Sequence, residues 1–363
     1  MQTFDPALVK LIKDRSAIRR HSRLREPHAG LPPGGPVSRA RHDPLTHSGI
    51  TRRRARQSRA LAGGGLVLYW GGMNGARPIC FLSDFGLYDD FVGLCKGAML
   101  RISLESRVID LTHEVPGFAV EAGAEILEHA TRYMPEDTVY LAIVDPGVGT
   151  ERHALALRSE GGPLFVGPDN GLLIPAAEAL GGIVDAIALT TPDFHLRPVS
   201  STFHGRDIFA PAAAHLAAGL EIGRLGEALD PTSLARVELP GMSKEGANIL
   251  TTTIVGIDRY GNARLSATAK KAGIELGSLL KVEAGGNGEM LVRYVETFGH
   301  SKTGDLVLVP DSHRCLSLSI NKGHAARALA LEMGDRVRLT LLDNAPELDT
   351  RRIADARSSN AGA

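Results

Sequence analysis

Two short stretches, VDPGVGTERHALAL and STFHGRDIFAPAA, strand Asp145, Arg152 and His204 among small and apolar neighbours. An imidazole is the side chain whose ordinary protonation changes near neutral pH, and a guanidinium is a permanent cation. Taken singly, each has a plain structural reading: Asp145 as a cap before Pro146, Arg152 as a solvated charge after a turn, His204 as a surface or internally satisfied histidine. Other candidates follow apolar, strand-like runs. Asp84 comes after PICFLS, Asp145 ends TVYLAIVD, and Asp169 and Asn170 come after PLFVG. In an open α/β sheet, ligands bind beyond the carboxyl ends of the strands, so chemistry is expected at such positions, although Asp and Asn there are also common turn formers. Asp84 is followed closely by Gly86, which lets a ligand approach the backbone, and carboxylates so placed commonly hold a ribose diol. Neither G-x-G-x-x-G nor G-x-x-x-x-G-K-[ST] occurs, so a nucleoside without a phosphate chain fits better than a dinucleotide or a nucleoside triphosphate.

These residues need elements to position them. From Pro78 onward the chain alternates short apolar runs with helical patterns. PICFLS (78–83) precedes a helix with Phe91, Leu94, Ala98 and Ile102 at helical spacing; RVIDLT (107–112) precedes one with Ala122, Ile126, Ala130 and Tyr133 on one face. TVYLAIVD, HALALRSE and PLFVG follow as strands, then a helix after Asn170, the strand IVDAIALT and a helix from about Asp207. This rhythm predicts an α/β domain over 77–238 with a mainly parallel sheet and helices on both faces. After LPGMSKEGAN (239–248), read as a linker, the blocks become β-rich, with Gly/Asn turns such as GGNG and one brief Ala-rich helical piece. A smaller antiparallel β-barrel over 248–343 is expected, because closure leaves no long open edge, with a flexible tail over 344–363.

The zero net charge conceals an asymmetry. Residues 1–72 hold 14 Lys and Arg against 4 Asp and Glu, a balance of +10, which leaves 27 against 37, or −10, for the rest. That first part is Gly/Pro/Arg-rich with little apolar periodicity, and is expected to be a disordered basic extension. Three readings stay open for it: a reading frame extended upstream of a true start at Met73, a passive tail, or a functional arm. It lacks the interleaved aromatics of a nucleic-acid arm, so nucleic acid is not an expected partner. The longest apolar stretch near it, LVLYW, is too short to span a bilayer. Cys80, Cys95 and Cys315 lack C-x-x-C spacing and sit among apolar residues, as core cysteines of a cytoplasmic protein would.

In order and spacing, SDFGLYDDFVGLCKGAML, VIDLTHEVPGFAVEAGAEIL, VDPGVGTER, VGPDNGLL, STFHGRDIFAPAAAHLA, GIDRYGN and SLSINKGHAA resemble the S-adenosyl-L-methionine (SAM) hydrolases, or SAM hydroxide adenosyltransferases, a family homologous to the SAM-dependent fluorinase and chlorinase. The resemblance covers roughly residues 77–343. It implies a catalytic set on Asp145, Arg152 and His204, a ribose-binding Asp84, and Asp89 near the methionine part. It assigns Phe203 to the substrate site, Asp258 and Ser312 to the amino acid end, and Asn262, Ile320 and Lys322 to the adenine. It also implies homotrimers with sites between the α/β domain of one subunit and the barrel of the next, and neither metal nor organic cofactor.

On that resemblance, the substrate is a sulfonium whose leaving group departs as a neutral thioether, so the task is to deliver a dehydrated water or hydroxide in line with C5′–S. His204 and Arg152 would hold it and Asp145 would orient them; whether hydroxide is bound directly or formed by His204 is left open. Two other functions are weighed. Related halogenases carry a tyrosine at the position of Asp145 and a serine at that of Gly205, and a halide would be repelled by the carboxylate. A non-catalytic SAM or adenosine sensor would not need all three polar residues. His313 and Arg314 depart from the small residues usual beside Ser312 in the family.

Overall fold

The computed structural model describes residues 75–342; the expectations for 1–72, for Met73 and for the tail over 344–363 lie outside the described residues. The first part is a seven-stranded sheet built from β1 (Ile79–Ser83), β2 (Val108–Thr112), β3 (Val139–Ile143), β4 (Ala154–Ser159), β5 (Leu164–Pro168), β6 (Ile183–Ala188) and β7 (Glu227–Ala228), in the order β2-β1-β3-β5-β4-β6-β7. Strands β2, β1, β3 and β5 are mutually parallel. Strand β4 runs against both β5 and β6, and β7 runs against β6, so five of the seven strands share one direction. The reversal at β4 has a simple cause: Gly161 and Gly162 at the turn are too few residues for a crossover helix, and a connection that short joins only antiparallel neighbours.

Period-two alternation in β1 feeds two cores. Ile79 and Phe81 pack with α1 (Phe91–Ile102) and α4 (Ala210–Ala217), whereas Cys80 and Leu82 pack with α2 (Val120–Ala130) and α3 (Ile174–Ala179). The sheet is therefore covered on both faces, and all three cysteines are buried and free. The buried stripe of α1 is Val92, Cys95, Ala98 and Met99. This corrects the expected face: Phe91 and Leu94 are each 41% exposed, because Phe91 turns toward Phe85 and Phe203 instead. Tyr133 lies beyond the end of α2 and is exposed, while Ala122 and Ala130 are buried as expected.

The second part is a closed barrel of β10 (Ala263–Thr268), β14 (Cys315–Ile320), β13 (Leu306–Pro310), β12 (Glu289–Tyr294), β11 (Leu279–Glu283), β15 (Arg336–Leu341) and β9 (Ile249–Ile257), with β9 returning to β10. All but one of its pairings are antiparallel. Strands β12 and β13 are parallel, because the connection over 295–305 carries the chain back to the end where it started. The 239–248 segment, expected as a linker, contributes β8 (Ser243–Glu245) to the edge of β9. Two brief helices, α5 (Ala269–Ala272) and α6 (Ala325–Ala328), replace the single one expected. Among the described residues no helix is long and apolar enough to cross a membrane.

Candidate active site

Strands β1, β3 and β5 are adjacent and parallel, so the residues that follow them emerge side by side at one edge of the sheet. Asp84 follows β1, Asp145 lies two residues past β3, and Asp169 and Asn170 follow β5. The acids picked out in the sequence thus share one rim, where an α/β sheet presents ligands. Their tasks differ. Asp169 Oδ1 accepts the Ala235 amide at 2.9 Å. Asn170 Nδ2 donates to the Val144 carbonyl at 2.8 Å, and its Oδ1 accepts the Leu172 amide. Both are committed to holding backbone, and Asn170 steadies the residue just before Asp145.

Asp145 and Arg152 form a two-pronged ion pair. Arg152 Nε donates to Asp145 Oδ1 at 3.0 Å, and Nη2 donates to Oδ2. Their side chains are only 7% and 10% exposed, so the pair is shielded from water, and the guanidinium also lies over the Phe209 ring at 5.2 Å. The same Nη2 meets His204 Nδ1 at 3.1 Å. A guanidinium has no acceptor, so this is a hydrogen bond only when Nδ1 bears no proton; the neutral ring then keeps its proton on Nε2. Burial, and next the Arg152 charge, hold the His204 imidazole below the ordinary histidine value.

Two loops must meet for this chain of contacts to form. Gly149 has φ of +77°, and a side chain there would stand 2.4 Å from the Ser201 carbonyl oxygen, so only glycine lets the 145–152 loop close on the loop leading to His204. His204 then caps a π-helical turn, Gly205–Phe209, that runs into α4. A Cβ on Gly205 would come within 3.0 Å of Phe85, because Phe85, Phe91 and Phe203 pack edge to face around it at 5.2–5.9 Å. Phe203, picked out from the sequence, belongs to this aromatic wall beside His204.

Asp84 Oδ2 accepts the Phe118 amide at 2.9 Å, from a residue held at φ of +66°. Asp89 is exposed on the turn before α1. In the barrel, Asp258 accepts from the amides of Tyr260 and Asn262 and from Asn262 Nδ2 at 2.7–3.0 Å, which braces the turn that carries Asn262. Ile320 ends β14 and Lys322 follows with φ of +57°; Ser312 sits in the turn before β14. No hydrogen bond or ring contact among the described residues joins this barrel set to Asp84, Asp145, Arg152 or His204. Among the described residues no group of three or more His, Cys, Asp and Glu is arranged to hold a metal ion.

Sequence reasoning missed several supports. Arg206, two residues past His204, grips the fully buried Asp207 at 2.6 and 2.8 Å, and Asp207 accepts the Ser200 amide, so Arg206 is committed to shaping the His204 loop. Behind Asp84, Ser83 Oγ bonds His113 Nδ1 at 2.8 Å, and His113 Nε2 bonds Asp110 at 3.1 Å. The D-x-x-H spacing in VIDLTHE was a legible signal for that second contact.

Residues 79–226 match the SAM hydroxide adenosyltransferase N-terminal domain, and residues 252–338 match the C-terminal domain. The chain is 44% identical over 262 residues to the (R)-S-adenosyl-L-methionine hydrolase of Salinispora tropica, covering 72% of this chain and 97% of that one. It is 38% identical to the protein of the same name from Thermus thermophilus, over 72% and 99% of the two chains. A fluorinase from Actinoplanes is 29% identical over 74% and 98%. Among solved structures, an uncharacterized conserved protein from Thermotoga maritima superposes with a TM-score of 0.68 at 33% identity, over 72% of this chain and 99% of that one. With both domains matched in order and relatives spanned almost end to end, the chain belongs to the SAM hydroxide adenosyltransferase family.

Proposed function

We propose that this chain hydrolyses S-adenosyl-L-methionine to adenosine and L-methionine. The observation that carries the reading is the Asp145, Arg152 and His204 chain at the rim of the sheet, next to Asp84, in a protein whose relatives are named SAM hydrolases. A new O–C5′ bond forms as C5′–S breaks, and the electron pair stays on sulfur, which leaves as the neutral thioether of methionine. If water attacks, one proton passes to solvent. The balance needs neither metal nor organic cofactor.

The roles follow from the contacts. Asp145 takes both arms of the guanidinium and fixes its plane; Arg152 in turn occupies His204 Nδ1. What remains to face a nucleophile is the positive edge of Arg152 and the His204 Nε2–H, two donors suited to hold hydroxide, or water polarised toward it. The open choice between bound hydroxide and hydroxide formed by His204 tilts to the first, because the imidazole lone pair is already taken. Asp84 is assigned to the ribose hydroxyls, Asp89 to the methionine side, and Phe203 to the wall beside C5′. From the barrel, Asp258 and Ser312 are assigned to the amino acid end, and Asn262, Ile320 and Lys322 to the adenine. With Asp258 already bracing the Asn262 turn, its role is in part to position that amide. A cytoplasmic homotrimer, with each site between the α/β part of one subunit and the barrel of the next, completes the reading, as does a division into α/β (77–238) and barrel (248–343) domains.

The fluorinase relatives favour a second reading, halide attack at the same carbon. The Asp145 carboxylate and the bare Gly205 weigh against it. In water enriched in heavy oxygen, the label is expected in the 5′-hydroxyl of adenosine, with methionine as co-product. A 5′-chloronucleoside at high chloride would replace this reading by the halogenase, and tight binding without turnover would replace it by the sensor.

A further inference from the structure

His313, in the turn before β14, is half-buried and turns its ring into the seam between the barrel and α2. Its ring stacks on that of His129 from α2, with centroids 4.4 Å apart and planes within 12°. His129 is only 7% exposed, and the Nδ1 atoms of both rings are buried without a hydrogen-bond partner. The turn that bears His313 is braced from within: Asp311 Oδ1 accepts the amides of His313 and Cys315 at 2.9 Å, and Asp311 Oδ2 accepts from Arg264 of β10. It is held from outside by the residues past α2, where the Tyr133 hydroxyl reaches the Ser312 carbonyl at 3.5 Å. Arg314 takes φ of +65°, which bends the chain so that His313 turns inward while Ser312 stays exposed.

We propose that the stacked pair His129 and His313 clamps the 311–315 turn onto α2 and thereby sets where Ser312 meets the methionine end of the substrate. This rests on the assignment of Ser312 to that end. Both histidines are then positioning residues, and neither touches the substrate.

The clamp holds while both rings are neutral. The charged groups acting on it are Arg132 from beyond α2, Arg264 from β10 and Asp311 from the turn itself; Glu125, Glu128 and Cys315 belong to the same charge cluster through these residues. Burial comes first, and then its stacked partner and the two arginines, in pushing His129 down to about 4; burial and Arg264 lower His313 as well. Glu125, pushed up to about 7 by burial, offers little negative charge in acid to offset a protonated imidazole. A histidine depressed in the fold leaves the closed state unaffected above its unfolded value of 6.5 and weakens it as pH falls from there toward 4, since the opened seam takes up the proton first. The clamp is therefore closed at neutral pH and loosens in acid.

The test compares the full-length wild type with His129→Ala, His129→Phe and Ser312→Ala, by amide hydrogen exchange over 311–316 and by KM and kcat for SAM between about pH 5 and 8. His129→Ala is expected to speed exchange at His313 and Cys315 and to raise KM about tenfold with kcat little changed, as a displaced binding group does. His129→Phe, which keeps a ring to stack but cannot titrate, is expected to restore both and to lessen the acid rise in KM, leaving only the share that His313 contributes. Unchanged exchange or unchanged KM in His129→Ala overturns the proposal, as does failure of Phe to restore what Ala loses. A raised KM in Ser312→Ala with none in His129→Ala sinks the clamp alone. An unmoved KM in Ser312→Ala sinks the Ser312 assignment, and the positioning claim with it, whereas the exchange data still report on the stack.

Discussion

Arg152 offers only donors, so its contact with His204 ties up the one lone pair that a neutral imidazole has. A ring in that state can orient an oxygen through Nε2–H but can accept no proton until Arg152 lets go. His204→Ala is expected to lower kcat roughly 10²–10⁴-fold, the usual weight of a positioned group of this kind, with substrate affinity little changed. His204→Gln, whose amide nitrogen stands near the place of Nε2, is expected to keep part of the lost rate; a Gln variant as slow as Ala would return the role of base to His204. The pH dependence carries the same argument. Because the folded imidazole titrates below 6.5, kcat should be level at neutral pH and fall only on acidification beneath that value, when a protonated Nδ1 would face the guanidinium. An acid limb centred above 6.5 would contradict this. Arg152→Ala has no understudy, since Arg206 is bound to Asp207.

At the scale of elements, the site depends on loops that glycine allows to touch. Gly149→Ala combines a left-handed backbone with a collision against the Ser201 carbonyl, a strain on the order of 1–3 kcal/mol that is relieved only by parting the two loops. Thermal unfolding should move down, and kcat should fall more than KM rises, because Arg152 and His204 separate while Asp84 stays in place; an Ala variant with full kcat would show that the loops meet for another reason. Much of this scaffold was legible. Strands β1, β3 and β5 read as apolar runs ended by Asp or Asn, and their adjacency follows from the crossover helices between the first of them. The reversal at β4 was legible only in the two glycines between the runs. The face of α1 was misplaced because Phe91 serves an aromatic cluster with Phe85 and Phe203, and periodicity cannot tell an aromatic that faces a ligand wall from one that faces the core. The His129 and His313 stack was illegible for a different reason: it joins residues far apart in the chain, across two parts whose packing no local pattern encodes.

At the scale of the whole molecule, the residues assigned to SAM fall into two groups that no hydrogen bond or ring contact joins among the described residues: Asp84, Asp145, Arg152 and His204 on the sheet rim, and Asp258, Asn262, Ile320 and Lys322 on the barrel. The proposed ring of subunits, with each rim facing the next barrel, would unite them, and head-to-tail contacts close into such rings. This makes a demand that a self-contained site does not. A rim-defective variant such as Arg152→Ala and a barrel-defective variant such as Asn262→Ala, each inactive alone, should restore activity when co-expressed, because some sites then pair the sound rim of one subunit with the sound barrel of another. With random mixing of equal amounts, about a quarter of the sites are sound, so activity near that fraction of wild type is expected, with sedimentation at the mass of a trimer. Variants mixed after separate purification should recover activity only as fast as subunits exchange, which separates shared sites from a trace of wild-type contamination. Co-expressed variants that remain inactive, in an assembly that still sediments as a trimer, would show that each subunit builds its site alone and that the barrel residues belong to some other surface.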